Sequence, residues 1–130
     1  MDSKIMGIGV DLCEISRIQK ILDRDGLDSA FFNKIFTDAE RKEAVARHDK
    51  AAFFAARFAV KEAVFKAVSP LLYNTFDLRI VESLHRDDGS PYVHITDQLK
   101  PFLDEGQIRF LHLSVTTEGE YAETFVVAES

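Results

Sequence analysis

Apolar residues fill almost all of residues 51–68, and that stretch predicts a helix. At about 100° per residue, Phe54, Phe58 and Phe65 fall on one stripe. Ala52, Phe53, Ala56, Ala59, Val60, Ala63, Val64 and Ala67 cover most of the remaining circumference. A helix that is apolar nearly all round is a buried helix. Only Arg57, Lys61, Glu62 and Lys66 interrupt it. Ser69-Pro70 ends it, because the residue before a proline is pushed out of the helical region.

Elsewhere the apolar spacing comes in shorter units. Lys4–Leu12 is β-compatible and contains Gly7 and Gly9; glycine inside a strand often marks close approach of another backbone. Ile15, Ile18 and Leu22 share a stripe and predict a helix over Ile15–Asp25, stopped at Gly26. Thr37 and Glu40 form a T-x-x-E capping box, which predicts a helix from Asp38 to about Arg47. Asp87-Asp88-Gly89-Ser90 predicts a hairpin turn between strands at about Phe76–His85 and Pro91–Ile95. Asp97–Glu105 reads as a short helix stopped by Gly106, with Pro101 fitting only in its first turn. Strands at Ile108–Val115 and Tyr121–Ala128 are joined by Glu118-Gly119-Glu120. The order is a strand, three helices, a hairpin, a helix and a hairpin. It predicts an α+β fold with an antiparallel sheet packed on the long buried helix. Gly7-Ile8-Gly9 is not a dinucleotide fingerprint, since no third glycine opens a helix at the needed offset.

Composition narrows the class. The 130 residues suit one domain, and 46% hydrophobic content argues against disorder. The net charge of −6 argues against general nucleic-acid binding. No apolar run approaches the ~20 residues of a membrane span, and Met1–Gly9 lacks the order of a signal peptide, so a cytoplasmic protein is expected. A single cysteine, Cys13, excludes an internal disulfide and any CxxC metal site. The charge is unevenly divided. Residues 1–66 carry 12 bases and 11 acids, whereas residues 67–130 carry 4 bases and 11 acids. An anionic ligand or acidic partner is therefore expected on the first half.

Two carboxylates stand out. Asp11 ends the first strand, and Glu62 lies within the buried helix, about 40° from the Phe58 stripe. A buried glutamate needs a compensating partner. Lys66, four residues on, is one option. A divalent cation shared with Asp11 is the other, and magnesium suits one or two protein carboxylates. Arg57, Lys61 and Lys66 either snorkel to the surface or bind phosphates beside that metal. Arg17, Lys20 and Arg24 share a face of the first helix, either simply solvated or receiving an acidic helical partner. His112 in its strand reads as structural, His48, His85 and His94 have no neighbouring motif, and Cys13 reads as a small apolar filler.

Taken together, these residues resemble a known family. Gly7-Ile8-Gly9-Val10-Asp11-Leu12-Cys13-Glu14-Ile15-Ser16-Arg17-Ile18 resembles the N-terminal signature of holo-acyl-carrier-protein synthases, which are 4′-phosphopantetheinyl transferases. Phe36-Thr37 with Glu40 resembles that family's second helix start. Arg57-Phe58-Ala59-Val60-Lys61-Glu62-Ala63, followed by Lys66-Ala67, resembles its central helix signature. Gly89-x-Pro91 and His112-Leu113-Ser114-Val115 continue the match in order. The resemblance implies the fold of that family and transfer of the phosphopantetheine arm of coenzyme A to a serine of an apo acyl carrier protein, releasing adenosine 3′,5′-bisphosphate. It implies Mg²⁺ held by Asp11 and Glu62, and Lys66 near the coenzyme A phosphates. Arg17 would dock the carrier, with Lys20 and Arg24 on the same basic face. Arg57, Lys61, His112 and Thr117 complete the residues expected at coenzyme A. Members are typically homotrimers with each coenzyme A site at a subunit interface.

The sequence departs from that pattern twice. Val68-Ser69-Pro70 stands where members carry a Gly-Thr-Gly-like turn, and Thr117 replaces the last histidine of His-x-Ser-x-Ser-His. Losing one preorganised donor costs on the order of 10²–10³ in rate. Two functions are therefore weighed: a Mg²⁺-dependent transferase, and a non-catalytic trimeric relative that binds a carrier protein or nucleotide.

Overall fold

The computed structural model describes residues 2–69, Leu72 and residues 77–130. Strand β1 (Ile5–Glu14) leads directly into helix α1 (Ile15–Asp25). Gly26 stops that helix at a φ of 78°, its N–H donating to Leu22 O. A short helix α2 (Ala30–Ile35) follows, capped by the Ser29 hydroxyl, which accepts from Phe32 N. The apolar spacing does not predict α2. Tertiary burial holds it, since Phe32 is fully enclosed against Phe36 and Phe54. Helix α3 (Asp38–Ala44) starts on the expected capping box: Thr37 Oγ1 accepts from Glu40 N, and Glu40 Oε1 from Thr37 N. The long helix α4 spans Lys50–Val68. Its predicted stop at Pro70 lies outside the described residues, though Ser69 already turns extended at a ψ of 140°.

The second half begins with a 3-10 turn (Leu78–Ile80), and β2 (Val81–His85) is shorter than the predicted strand. The predicted start at Phe76 lies outside the described residues. The remaining elements are β3 (Pro91–Ile95), α5 (Lys100–Glu105), β4 (Phe110–Glu118) and β5 (Tyr121–Glu129). Helix α5 starts later than expected, after the Thr96 hydroxyl accepts from Leu99 N, and Pro101 sits in its first turn. The antiparallel pairing expected from the hairpins is present but divided. One sheet has the order β1-β5-β4, and β2–β3 forms a second.

Helix α4 lies on one face of the three-stranded sheet. The approach is so close that a Cβ on Gly7 would stand 1.8 Å from Ala67 O, and one on Gly9 1.8 Å from Ala63 O. Alternation then places Asp11 and Cys13 on this inner face too. They lie opposite Thr124 and Ala122 of β5. The outer face exposes Ile8, Val10, Leu12, Phe110, Tyr121 and Phe125. Two apolar clusters run along α4, one around Phe32, Phe36 and Phe54, the other around Val60, Val64, Leu99 and Val126.

Candidate functional site

The glycines that bring β1 onto α4 also bring Asp11 to the helix, two residues past Gly9. Glu62 and Lys66, four residues apart, share the facing stripe of α4. Lys66 Nζ donates to Val10 O at 2.9 Å and lies 3.3 Å from Asp11 Oδ1. The structure thus ties Lys66 to Asp11; among the described residues no ion pair joins it to Glu62. Glu62 is half-buried, and its carboxyl is pushed up, first by burial and then by the Asp11 charge, with Lys66 opposing. Two hard oxygen donors with a surplus of negative charge are a fitting pair for a divalent cation. No cluster of three or more His, Cys, Asp or Glu exists among the described residues. A cation here would therefore complete its shell with water or phosphate oxygens, the habit of magnesium. Cys13, nearby, is buried, and burial pushes its thiol up, which suits an inert filler.

A second locus lies at the N-terminal half of α4. A cavity of about 260 Å³ is lined by Arg47, Phe53, Arg57, His85, Pro91 and Thr117 among others. Arg57 is only 2% exposed. Its guanidinium lies 4.2 Å from the centre of the Phe53 ring, Nη2 is 2.9 Å from His85 Nε2 and 3.7 Å from Glu43 Oε1, and Nε has no hydrogen-bond partner. Burial pulls Arg57 down, while Glu43 and Glu40 hold it up. Arg47 pairs with Asp49 at 2.9 Å beside the cavity.

Arg57 and Thr117 thus line one cavity, while Asp11, Glu62 and Lys66 meet at another place. Lys61 joins neither group. It was expected to snorkel or to bind phosphate, but its side chain is completely buried. Its ammonium pairs with Glu40 Oε1 at 2.8 Å and donates to Leu78 O at 3.0 Å and Val81 O at 2.5 Å. With its three donors satisfied, it ties α4 to α3 and β2. Burial pulls its pKa down, with Glu40 opposing. His112 lies on the outer side of β4, with Nε2 2.8 Å from Glu129 Oε1. Thr117, an odd number of residues along, points to the inner side, so one chain presents the two to different sides of the strand. Arg17, Lys20 and Arg24 are all exposed on α1, and Arg24 pairs with Asp25 at 2.7 Å.

Sequence reasoning missed Glu43, His85 and Arg47 as partners around Arg57, because no local spacing links them. Glu40 was visible as a cap. Its second role, as counter-ion to Lys61 and acceptor for Ser83 N at 2.8 Å, was not.

Comparison with known proteins decides the family. The profile of the 4′-phosphopantetheinyl transferase superfamily matches residues 7–126. A holo-(acyl-carrier-protein) synthase of Caulobacter vibrioides is 38% identical, the match covering 97% of this chain and 96% of the relative. The chain belongs to the holo-acyl-carrier-protein synthase family. Among solved members, the synthase of Neisseria meningitidis superposes with a TM-score of 0.79 at 27% identity, covering 98% of this chain and 100% of that one. The synthase of Bacillus anthracis, solved in complex with CoA (3′,5′-ADP), gives 0.75 at 32% identity over 97% of each chain. Membership makes the protein an enzyme of this family and agrees with the α+β architecture described above. No helix among the described residues is long and apolar enough to cross a membrane.

Proposed function

We propose that the protein transfers the 4′-phosphopantetheine arm of coenzyme A to a serine of an apo acyl carrier protein and releases adenosine 3′,5′-bisphosphate. The observation that carries this reading is the meeting of Asp11, Glu62 and Lys66 where β1 crosses α4. Asp11 and Glu62 would hold Mg²⁺, which when bound supplies positive charge to the pyrophosphate and polarises the phosphorus under attack. Lys66, the most exposed of the three, contributes a point charge for the phosphates. The serine hydroxyl attacks the β-phosphorus, and the bond from that phosphorus to the bridging oxygen breaks. The hydroxyl proton passes to Asp11 or to a water, and the electron pair leaves with the bisphosphate. Arg57, stacked on Phe53 in a cavity of its own, suits the phosphate and base of the nucleotide end.

The same reading makes the working form a homotrimer. Its support is the outer sheet face, where Ile8 and Leu12 are 55% and 56% exposed and Phe125 47%. An apolar face of that kind marks an interaction surface. The placement of His112 on that face, away from the Arg57 cavity, supports a donor site completed by a second copy. The exposed basic residues Arg17, Lys20 and Arg24 suit an acidic carrier protein.

The test is direct. The protein is incubated with an apo acyl carrier protein, coenzyme A and Mg²⁺, and the carrier is weighed by mass spectrometry. The carrier is expected to gain one phosphopantetheine arm, and the gain to vanish with EDTA. No product across several fatty-acid and polyketide carriers refutes the proposal.

A further inference from the structure

His85 has no motif around it in the sequence, yet it occupies the centre of the second locus. It comes from the end of β2 and lines the same cavity as Arg57, Phe53 and Thr117. Arg57 Nη2 lies 2.5 Å from its Nδ1 and 2.9 Å from its Nε2, and Glu43 Oε1 lies 3.4 Å from the same Nδ1. Either ring nitrogen, when bare, can accept from the guanidinium, and Nδ1 is the nearer. Glu43 Oε1 stands beside them with no hydrogen-bond partner of its own. The other Glu43 oxygen, Oε2, accepts from His85 N at 3.3 Å, which fixes the histidine's backbone.

The groups facing His85 are Arg57 from α4, Glu43 from α3 and Arg47 from the connection between those helices. Its neighbour across the sheet is Pro91, which carries no charge. Arg86 turns away to stack on Tyr92. With Arg57 in contact, a second positive charge on the ring is disfavoured. Burial and the Arg57 charge accordingly pull His85 down, with Glu43 opposing. An anion in the cavity reverses that balance. It would neutralise Arg57 and leave room for a proton on the ring beside it.

Building on the nucleotide reading of this cavity, we propose that His85 is a positioning residue for Arg57. Unprotonated, it accepts from the guanidinium and so aims it; when a phosphate monoester enters, it takes up a proton and becomes a second cation. Binding of phosphate in this cavity is therefore coupled to proton uptake. His85 is the one imidazole lining the cavity among the described residues, and Thr117 lines it too.

The probe is adenosine 3′,5′-bisphosphate, titrated by calorimetry at about pH 6 and about pH 8 in buffers of differing ionisation enthalpy. The ligand's own phosphate titration is common to wild type and variant, so their difference isolates the ring. Wild-type affinity is expected to gain up to about tenfold more on acidification than that of His85→Gln, and the variant to lose the extra proton uptake. In the ligand-free protein the His85 ring resonance should titrate below the usual histidine range, and its midpoint should rise on saturation. An equal pH slope and proton count in His85→Gln overturns the proposal, as does a uniform loss of affinity with the slope unchanged. His85→Asn gives the same comparison should the first variant fold poorly. A wild-type protein that binds no bisphosphate at either pH overturns the nucleotide reading of the cavity itself. That outcome is distinct from the failure of His85 alone.

Discussion

Gly9→Ala tests whether packing and chemistry are one arrangement. The added methyl would stand 1.8 Å from Ala63 O, 2.8 Å from its carbonyl carbon and 2.9 Å from Ala67 N. These are main-chain atoms in the middle of a buried helix, and none can rotate aside. Ordinary contact begins at 3.4 Å, so β1 and α4 must part by about 1.6 Å locally. Overpacking of this kind costs about 1–3 kcal/mol, and a backbone obstacle places it at the upper end. A domain stable by about 5–15 kcal/mol stays folded after that loss. Asp11 sits two residues from the displaced point and faces Glu62 across the same gap. A misplacement of about 1 Å in a positioned group can cost on the order of 10²-fold in rate. Urea unfolding should therefore show about 3 kcal/mol lost, and the mass-resolved transfer assay a far larger proportional loss in protein that is still folded. Gly119→Ala is the control. Gly119 has a φ of 59° but nothing within 4 Å of the new methyl, so about 1 kcal/mol should go without loss of transfer. Wild-type stability in Gly9→Ala would refute the close crossing. Lost stability with full activity would refute the link from the crossing to the site.

Other expectations follow from the same geometry. Glu62→Gln should abolish transfer while the Tm measured in EDTA holds or rises, because burial and Asp11 both disfavour the charged glutamate; wild-type rates would exclude it as an essential ligand. Lys61→Met strands the Glu40 carboxylate and should cost about 3–5 kcal/mol in urea unfolding. Adding Glu40→Gln should recover part of that loss, and no recovery would deny the pair. Arg17→Glu should raise the KM for the carrier protein by on the order of tenfold while calorimetry shows unchanged coenzyme A affinity. Leu12→Glu on the outer sheet face should break the proposed trimer, read as a shift to monomer in sedimentation, with transfer lost alongside.

What the sequence made legible was local. The helix at 51–68, the capping box at Thr37 and the hairpin turn before Pro91 each rest on neighbours within one or two turns of chain, and each appears where predicted. Helix α2 was invisible because its six residues carry too little periodicity, and Phe32 holds it by contacts with Phe36 and Phe54. The division of the strands into two sheets was equally hidden, since hairpin signals fix pairs of strands and not which pairs join. Asp11 and Glu62 could be named because charge in an apolar setting demands a reason. Lys61 satisfied the same test and was given the wrong reason: its counter-ion, Glu40, lies on another helix and already had a role as a cap.

The four charges within residues 51–68 show why spacing alone misleads. Arg57 and Lys61 are four apart, as are Glu62 and Lys66, so each pair shares a stripe, and the stripes are separated by about 140°. Spacing fixes the two stripes but not what each one faces. The tertiary arrangement turns the first stripe to α3 and β2, where Glu40, Glu43 and His85 enclose it. It turns the second to β1, where Asp11 waits at an open edge. The enclosed stripe fixes α4 against α3 and β2 while leaving Arg57 at a cavity wall. The open stripe keeps its surplus negative charge because nothing among the described residues offsets it fully. That uncompensated charge, tolerated in a fold that neutralised its neighbour Lys61 completely, is the physical reason to look for a cation there.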